Sequence, residues 1–240
     1  MNGLACRALF ASTLAATIAG SAYGAVVPTP PTLDMRSVAD RVHSLAVAVR
    51  THAFVPATAR GENGIAEAVT STSGVLIGDG LVLTTFTGVS VKRSDGQRDP
   101  PAAIEVVTDA AGIVPARFLL GDPQLDLALL QLPDQLHDLE GATLAPNDAA
   151  VGDEVIAIGA SGDSLYVVGV TLDRVEFATA GGARLYLNRP LPPSFLGGPL
   201  FDAEGRLVGV TTEPPSESGF AVPASLLRTL IDRVRSTTRT

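Results

Sequence analysis

The chain has 240 residues, 46% hydrophobic, 5% aromatic and 18% charged, with 24 Gly, 17 Pro and no Trp. That composition supports a buried core and excludes a disordered, collagenous or coiled-coil chain. Seventeen basic residues against 25 acidic ones give a net charge of −8, the opposite of the balance a nucleic-acid binder shows. The positive charges are one lysine, Lys92, and arginines that form no basic run, so an anionic membrane surface is not an expected partner either. Three histidines (His43, His52, His137), one cysteine (Cys6) and the absence of HExxH, paired CxxC or calcium-loop spacing predict no metal and no cofactor.

Residues 1–24 carry a single charge, Arg7, then an apolar run over 8–20 and small residues at Ala22 and Gly24. This is the layout of a secretory signal peptide cleaved near Gly24. The run falls short of the roughly 20 apolar residues that a membrane span needs. Cleavage removes Arg7 and Cys6 and leaves 16 basic and 25 acidic residues, a net of −9. No disulfide and no thiol nucleophile remain, which predicts a periplasmic or secreted protein of bacterial type.

A Pro-rich lead at 25–36 precedes Asp34, Val38, Val42 and Leu45, whose spacing predicts a short helix running into a strand at 45–49. The small and polar stretch 50–72 predicts a long, mobile loop. Strands are predicted at 73–77, 81–86, 104–107, 116–120 and 126–132, with a Gly78-Asp79-Gly80 turn between the first two. A stretch poor in strand formers, 133–148, contains His137 and predicts a crossover. Further strands follow at 154–158, 165–172, 184–187, 199–201, 206–212 and 219–222. Short strands in two groups of similar size predict an all-β chain of two subdomains, about 45–132 and 149–222. Pro223 then opens a helix over 223–235 with an apolar stripe at Leu226, Leu227, Leu230, Ile231 and Val234, suited to packing on a barrel.

Four motifs occur in order: Ser73-Gly74-Val75-Leu76-Ile77, Leu81-Val82-Leu83-Thr84, the segment from Gly121-Asp122-Pro123 through Asp126-Leu127-Ala128, and Gly197-Gly198-Pro199-Leu200. Together with Val151-Gly152-Asp153-Glu154 and Gly219-Phe220-Ala221-Val222-Pro223 they make the region 37–236 resemble the chymotrypsin-like (trypsin-like) serine protease domain of the HtrA/DegP family. The resemblance implies a double β-barrel, two six-stranded Greek-key barrels with the active site in the cleft between them. The family's C-terminal peptide-binding PDZ domain is expected to be absent.

That chemistry requires a histidine base, an aspartate that orients it, a serine nucleophile and backbone N–H groups for the oxyanion. The family's T-N-x-H-V-V segment aligns with Thr84 to Val89, which puts Thr87 at the histidine position. Asp126 stands at the aspartate position. The G-N-S-G-G-P-L motif aligns with Ser194-Phe195-Leu196-Gly197-Gly198-Pro199-Leu200, so Leu196 replaces the nucleophile and Ser194 replaces an oxyanion-hole glycine. Asp126 is expected to accept backbone hydrogen bonds instead of orienting an imidazole, and Gly197-Gly198 to serve a tight chain path. Ser164, in Gly162-Asp163-Ser164, is read as a turn serine, because the strand Leu165-Tyr166-Val167-Val168 follows it and not Gly-Gly-Pro; Gly159-Ala160-Ser161-Gly162-Asp163, close to G-x-S-x-G, is set aside because a nucleophile elbow needs a following helix.

The expected protein is a pseudoprotease of the cell envelope, a scaffold or regulator that binds a polypeptide through Phe195, Leu196 and Gly197, with an active HtrA-type protease as a candidate partner. The alternative is an active serine endopeptidase with a rearranged site built on Ser194.

Overall fold

The computed structural model describes residues 34–56, 65–93, 95–162, 164–178, 182–212 and 219–238. The signal-like segment and most of the Pro-rich lead lie outside the described residues. Asp34 caps helix α1 (Met35–Val42), its carboxylate accepting the Ser37 N–H at 3.3 Å, and Val38 and Val42 form the buried face. After a 3-10 turn at His43–Leu45, β1 (Ala46–Pro56) pairs antiparallel along its whole length with β2 (Ile65–Leu76).

This hairpin corrects the expectation of a mobile loop at 50–72. Small and polar residues hold the strands because alternation survives beneath them: Val47, Val49, Thr51 and Ala53 all turn one buried face inward. His52, expected in that loop, instead lies in β1, opposite Val69 of β2 and Ala103 of β6 (Ala103–Thr108). Its ring ties the three strands together, with Nδ1 2.7 Å from Glu67 Oε1 and Nε2 3.2 Å from Glu105 Oε2.

The first sheet adds β3 (Leu81–Thr84), β7 (Gly112–Pro115), β8 (Arg117–Asp122) and β9 (Leu127–Gln131), in the order β7-β6-β1-β2-β3-β9-β8. A two-stranded ribbon of β4 (Val91–Lys92) and β5 (Arg98–Asp99) stands apart. The first subdomain is thus a seven-stranded half-barrel, one of the two barrels of the double-barrel fold expected. Its edge strands β7 and β8 are successive segments separated by Ala116, whose N–H still donates to Ile104 O at 2.9 Å. Pro115 lies opposite Glu105 in a non-hydrogen-bonded pair, so it costs the ladder to β6 no bond; the chain bends there and β8 goes on to pair with β9.

The second subdomain is a closed six-stranded barrel. It comprises β10 (Glu154–Ser161), β11 (Ser164–Ala178), β12 (Gly182–Leu187), β13 (Pro199–Phe201), β14 (Leu207–Thr211) and β15 (Phe220–Pro223), ordered β10-β11-β12-β15-β14-β13. The crossover is pinned to both subdomains: Ala142 N–H donates to Leu76 O, Leu207 N–H to Thr143 O and Ala145 N–H to Leu207 O.

Alternation along each strand divides the apolar residues among three layers. Val82, Ala128 and Leu130 fill the first subdomain, and Val155 and Ala157 the second. Their neighbours Leu81, Leu83, Leu127, Leu129, Ile156 and Ile158 turn the other way, into a shared core with Val38 and Val42 of α1 and Leu227, Leu230 and Ile231 of α2 (Ala224–Thr238). Runs such as Leu127 to Leu130 are continuously apolar because both faces of the strand are buried. The C-terminal helix therefore seals the seam between the subdomains as well as covering a barrel.

Hydrogen bonds that the ring donates to Glu67, then to Glu105, raise the His52 pKa above its ordinary 6.5. A raised folded-state pKa means that the imidazolium stabilises the fold fully below the unfolded value and that this support fades as pH climbs through the folded value. The melting temperature of the native chain should fall across that window relative to His52→Gln, whose profile should be flatter. A ring-proton NMR titration of His52 giving an ordinary or lowered pKa would contradict the bridge.

Candidate active-site cleft

The loop after β3 carries Thr87, and Asp126 sits immediately before β9. Asp126 adopts a left-handed conformation, φ 54°, which the short polar side chain of Asp tolerates better than most residues. This bend directs two acceptors at the Thr87 loop: Asp126 O takes the Phe86 N–H at 3.2 Å and Oδ1 takes the Thr87 N–H at 2.7 Å. The carboxylate thus holds backbone at the place where the resemblance calls for an imidazole. The carbonyl of Thr87 accepts from Arg98 Nη1 at 3.2 Å, and the carbonyl of Gly88 from Thr51 Oγ1 at 2.8 Å.

On the other side of the cleft, Pro193–Phe195 form a 3-10 turn that ends at Leu196. Proline at the start of the turn presets its φ, and Pro192 and Pro193, though they have no N–H to donate, keep their carbonyls as acceptors. Those carbonyls accept the N–H groups of Phe195 at 2.9 Å and Leu196 at 3.1 Å. The following N–H groups are also engaged, Gly197 with Thr211 O and Gly198 with Phe195 O, both at 2.8 Å. The Thr211 hydroxyl donates to the Phe195 carbonyl.

Ser73 connects the two sides. Its N–H donates to Leu196 O at 2.7 Å, its hydroxyl donates to Ser194 O at 2.5 Å and accepts the Ala160 N–H at 2.7 Å, and its carbonyl accepts from Thr84 Oγ1 at 2.6 Å. Gly197 has φ 82°, and a Cβ there would stand 2.1 Å from Ser73 O. At Gly198 a Cβ would stand 2.1 Å from Ile158 O. The glycine pair is therefore required by the approach of neighbouring strands.

Beside Leu196 opens a small apolar pocket with Leu191, Phe195, Leu196, Thr212 and Phe220 in its walls. Thr212 is buried, and its hydroxyl has no hydrogen-bond partner among the described residues. Sequence reasoning passed over Arg184, which spans the cleft from β12: its Nη2 donates to Gln124 O at 2.6 Å and its guanidinium lies 5.2 Å from the centre of the Phe220 ring. Burial pushes its pKa below the ordinary arginine value, partly offset by Tyr186, Asp122 and Asp126. Only its position in a strand beside the motif signalled it.

The histidines are engaged elsewhere, His43 with Asp40 O, His52 with its two glutamates and His137 with Gln131 Nε2. Ser164 pairs with Ser161 at the start of β11, and Asp163 lies outside the described residues. Among the described residues no group of His, Cys, Asp and Glu side chains could hold a metal ion.

A family model for the trypsin-like peptidase domain matches residues 72–210, more than half of the chain. The chain belongs to the trypsin-like peptidase family, on its HtrA/DegP side. Proteins named "Probable periplasmic serine endoprotease DegP-like" from Brucella suis and Brucella abortus are 28% identical over 175 residues, 67% of this chain and 32% of theirs. The chain thus spans about a third of the length of these relatives. An HtrA-type protease, AlgW, solved with a decapeptide, superposes with a TM-score of 0.67 at 19% identity, covering 84% of this chain and 67% of that one. The Rv3671c protease of M. tuberculosis in its active form does so with a TM-score of 0.67 at 18% identity, over 96% and 94% of the two chains. At such identities the structural likeness establishes the chymotrypsin-like fold.

Replacing Gly197 of this HtrA/DegP-like domain by Ala should cost at least ~2 kcal/mol, since a left-handed backbone and a backbone clash coincide. Ser73→Ala should cost about 1–3 kcal/mol by orphaning the buried Ala160 N–H. Chemical denaturation of both variants checks this, and two near-neutral results would show that the cleft floor does not depend on these contacts.

Proposed function

We infer that this trypsin-like domain binds extended polypeptide without cleaving it, as a periplasmic or secreted scaffold, chaperone or regulator. The observation that carries the reading is the turn at Leu196: the Leu196 N–H, at the nucleophile position of the resemblance, is consumed by the Pro193 carbonyl at 3.1 Å, while the Leu196 side chain helps to line an apolar pocket. An oxyanion hole needs donors held free and aimed at developing charge. Thr87 offers no base near neutral pH, and Asp126 spends a carboxylate oxygen on the Thr87 backbone. In a serine protease of another fold, loss of the serine or the histidine alone lowers turnover roughly a millionfold.

Binding has the means that cleavage lacks. Residues 65–72 of β2 pair with β1 on one side only and lead directly to Ser73 and Leu196. An extended chain can add to such an edge through its backbone and place a side chain in a neighbouring pocket. Unfolded envelope proteins and an active HtrA-type protease are the partner classes this mode accommodates; nucleic acid is disfavoured by the net charge of −8.

Labelled unfolded casein mixed with the purified protein should give a stable rise in fluorescence anisotropy, and Leu196→Asp should weaken binding by roughly tenfold or more, because it places a charge in an apolar wall. A steady fall in anisotropy would mean proteolysis and favour an active, rearranged site. Thr87→His combined with Leu196→Ser should remain inactive on a fluorogenic peptide, because the prolines still occupy the turn's N–H groups. Recovered turnover from that pair would show that the turn opens readily.

A further inference from the structure

Four side chains from three neighbouring strands form one row on the closed barrel. Arg174 of β11 stands opposite Tyr186 of β12, which stands opposite Phe220 of β15. The Arg174 guanidinium lies 4.1 Å from the centre of the Tyr186 ring, and the Tyr186 and Phe220 rings meet edge to face at 5.2 Å. Arg184, two residues before Tyr186 on the same face of β12, closes the row with its guanidinium 5.2 Å from the centre of the Phe220 ring. Phe220 also belongs to the wall of the pocket beside Leu196. The row therefore leads from that pocket to a half-buried cation.

The two arginines differ in what neutralises them. Glu176 lies directly opposite Arg184, yet its carboxylate accepts from Arg174 Nε at 2.9 Å. Asp122 and Asp126 act on Arg184 at a distance, and both are committed to backbone. Asp122 Oδ1 accepts the N–H groups of Gln124 at 3.0 Å and Leu125 at 3.1 Å, and Asp126 Oδ1 accepts that of Thr87 at 2.7 Å. Arg184 Nη2 donates to the Gln124 carbonyl, while Nη1 is buried and finds no hydrogen-bond partner among the described residues. A cation withdrawn from water in this way is costly until an opposite charge completes it.

We propose that Arg184 sets the specificity of the cleft, receiving a carboxylate of a bound peptide while an apolar side chain of the same peptide sits beside Leu196. The proposal rests on the reading of this cleft as a polypeptide-binding groove, and it adds the class of ligand: a peptide that carries a carboxylate within a few residues of an apolar side chain. That carboxylate is either an aspartate or glutamate side chain or the peptide's own C-terminus. The guanidinium fork matches a carboxylate in shape as well as charge. Because Arg184 is half-buried and not sealed in, its fork can turn toward a carboxylate arriving from the cleft while Phe220 stays beside it. The net charge of −8 disfavours acidic peptides over the surface as a whole, so a preference for one requires a local cation.

The test is fluorescence anisotropy of N-terminally labelled decapeptides with the purified full chain. The reference peptide has a central leucine among glutamines and an amidated C-terminus. A series carries glutamate in place of one glutamine at a time, and a last peptide keeps every glutamine but ends in a free carboxylate. At least one carboxylate-bearing peptide should bind roughly tenfold or more tighter than the reference, and its identity distinguishes a side chain from a chain end. Arg184→Gln should erase that preference and leave the affinity for the reference unchanged. Arg184→Lys, which keeps the charge and loses the fork, should retain only part of it, each variant having an unchanged circular dichroism spectrum. Equal binding of all peptides by the native chain, or a preference undiminished in either variant, would overturn the proposal and leave peptide binding standing. Failure to bind both these peptides and unfolded casein would overturn the underlying reading, and the proposal with it.

Discussion

The cleft hangs on the hydrogen bonds of one buried serine. Ser73 is fully inaccessible to solvent, and its hydroxyl, N–H and carbonyl reach Ala160 of the closed barrel, Ser194 and Leu196 of the turn, and Thr84 of its own sheet. Away from water such bonds are strong and the cost of leaving any one unmade is high. The rest of the cleft floor follows. Gly197 must be glycine because Ser73 O occupies the space of a Cβ, and Thr211 must reach back to Phe195 and Gly198 because the turn between them has no strand of its own.

This frame is built from backbone atoms and a few small hydroxyls, with Asp126 as its one carboxylate. Thr87, Ser194 and Leu196 enter it through their N–H and C=O groups, not through their side chains. A side chain on such a loop can change with little disturbance to the layers beneath, whereas Ser73, Gly197 and Gly198 cannot change so freely. Fold and chemistry are separable for that reason.

Much of the architecture was legible in the sequence. Twelve predicted strands overlap observed ones because period-two alternation and turn residues act locally, and Asp34 and the Leu226 to Val234 stripe marked the two helices. The segment 50–72 was misread because its apolar residues are small and scattered, and the partners that hold it, β6 and the two glutamates around His52, lie 30 or more residues away or across a turn. The interruption at Pro115 was visible as a proline but not as a strand break, since only the pairing of β7 with β6 and of β8 with β9 gives it meaning.

Of the site, the sequence alone determined the residues themselves, Thr87, Asp126, Ser194 and Leu196, with prolines just ahead of the turn. It also determined the net charge, because both are properties of composition and order. Only the tertiary structure decided where the backbone hydrogen bonds go: that the carboxylate of Asp126 faces the Thr87 N–H, that the prolines' carbonyls occupy the turn, that Arg184 crosses to Gln124, and that β11 pairs with β10 along one half and with β12 along the other. The physical reason is that hydrogen-bond partners in a β-fold are set by register between distant strands. No single stretch of sequence encodes that register.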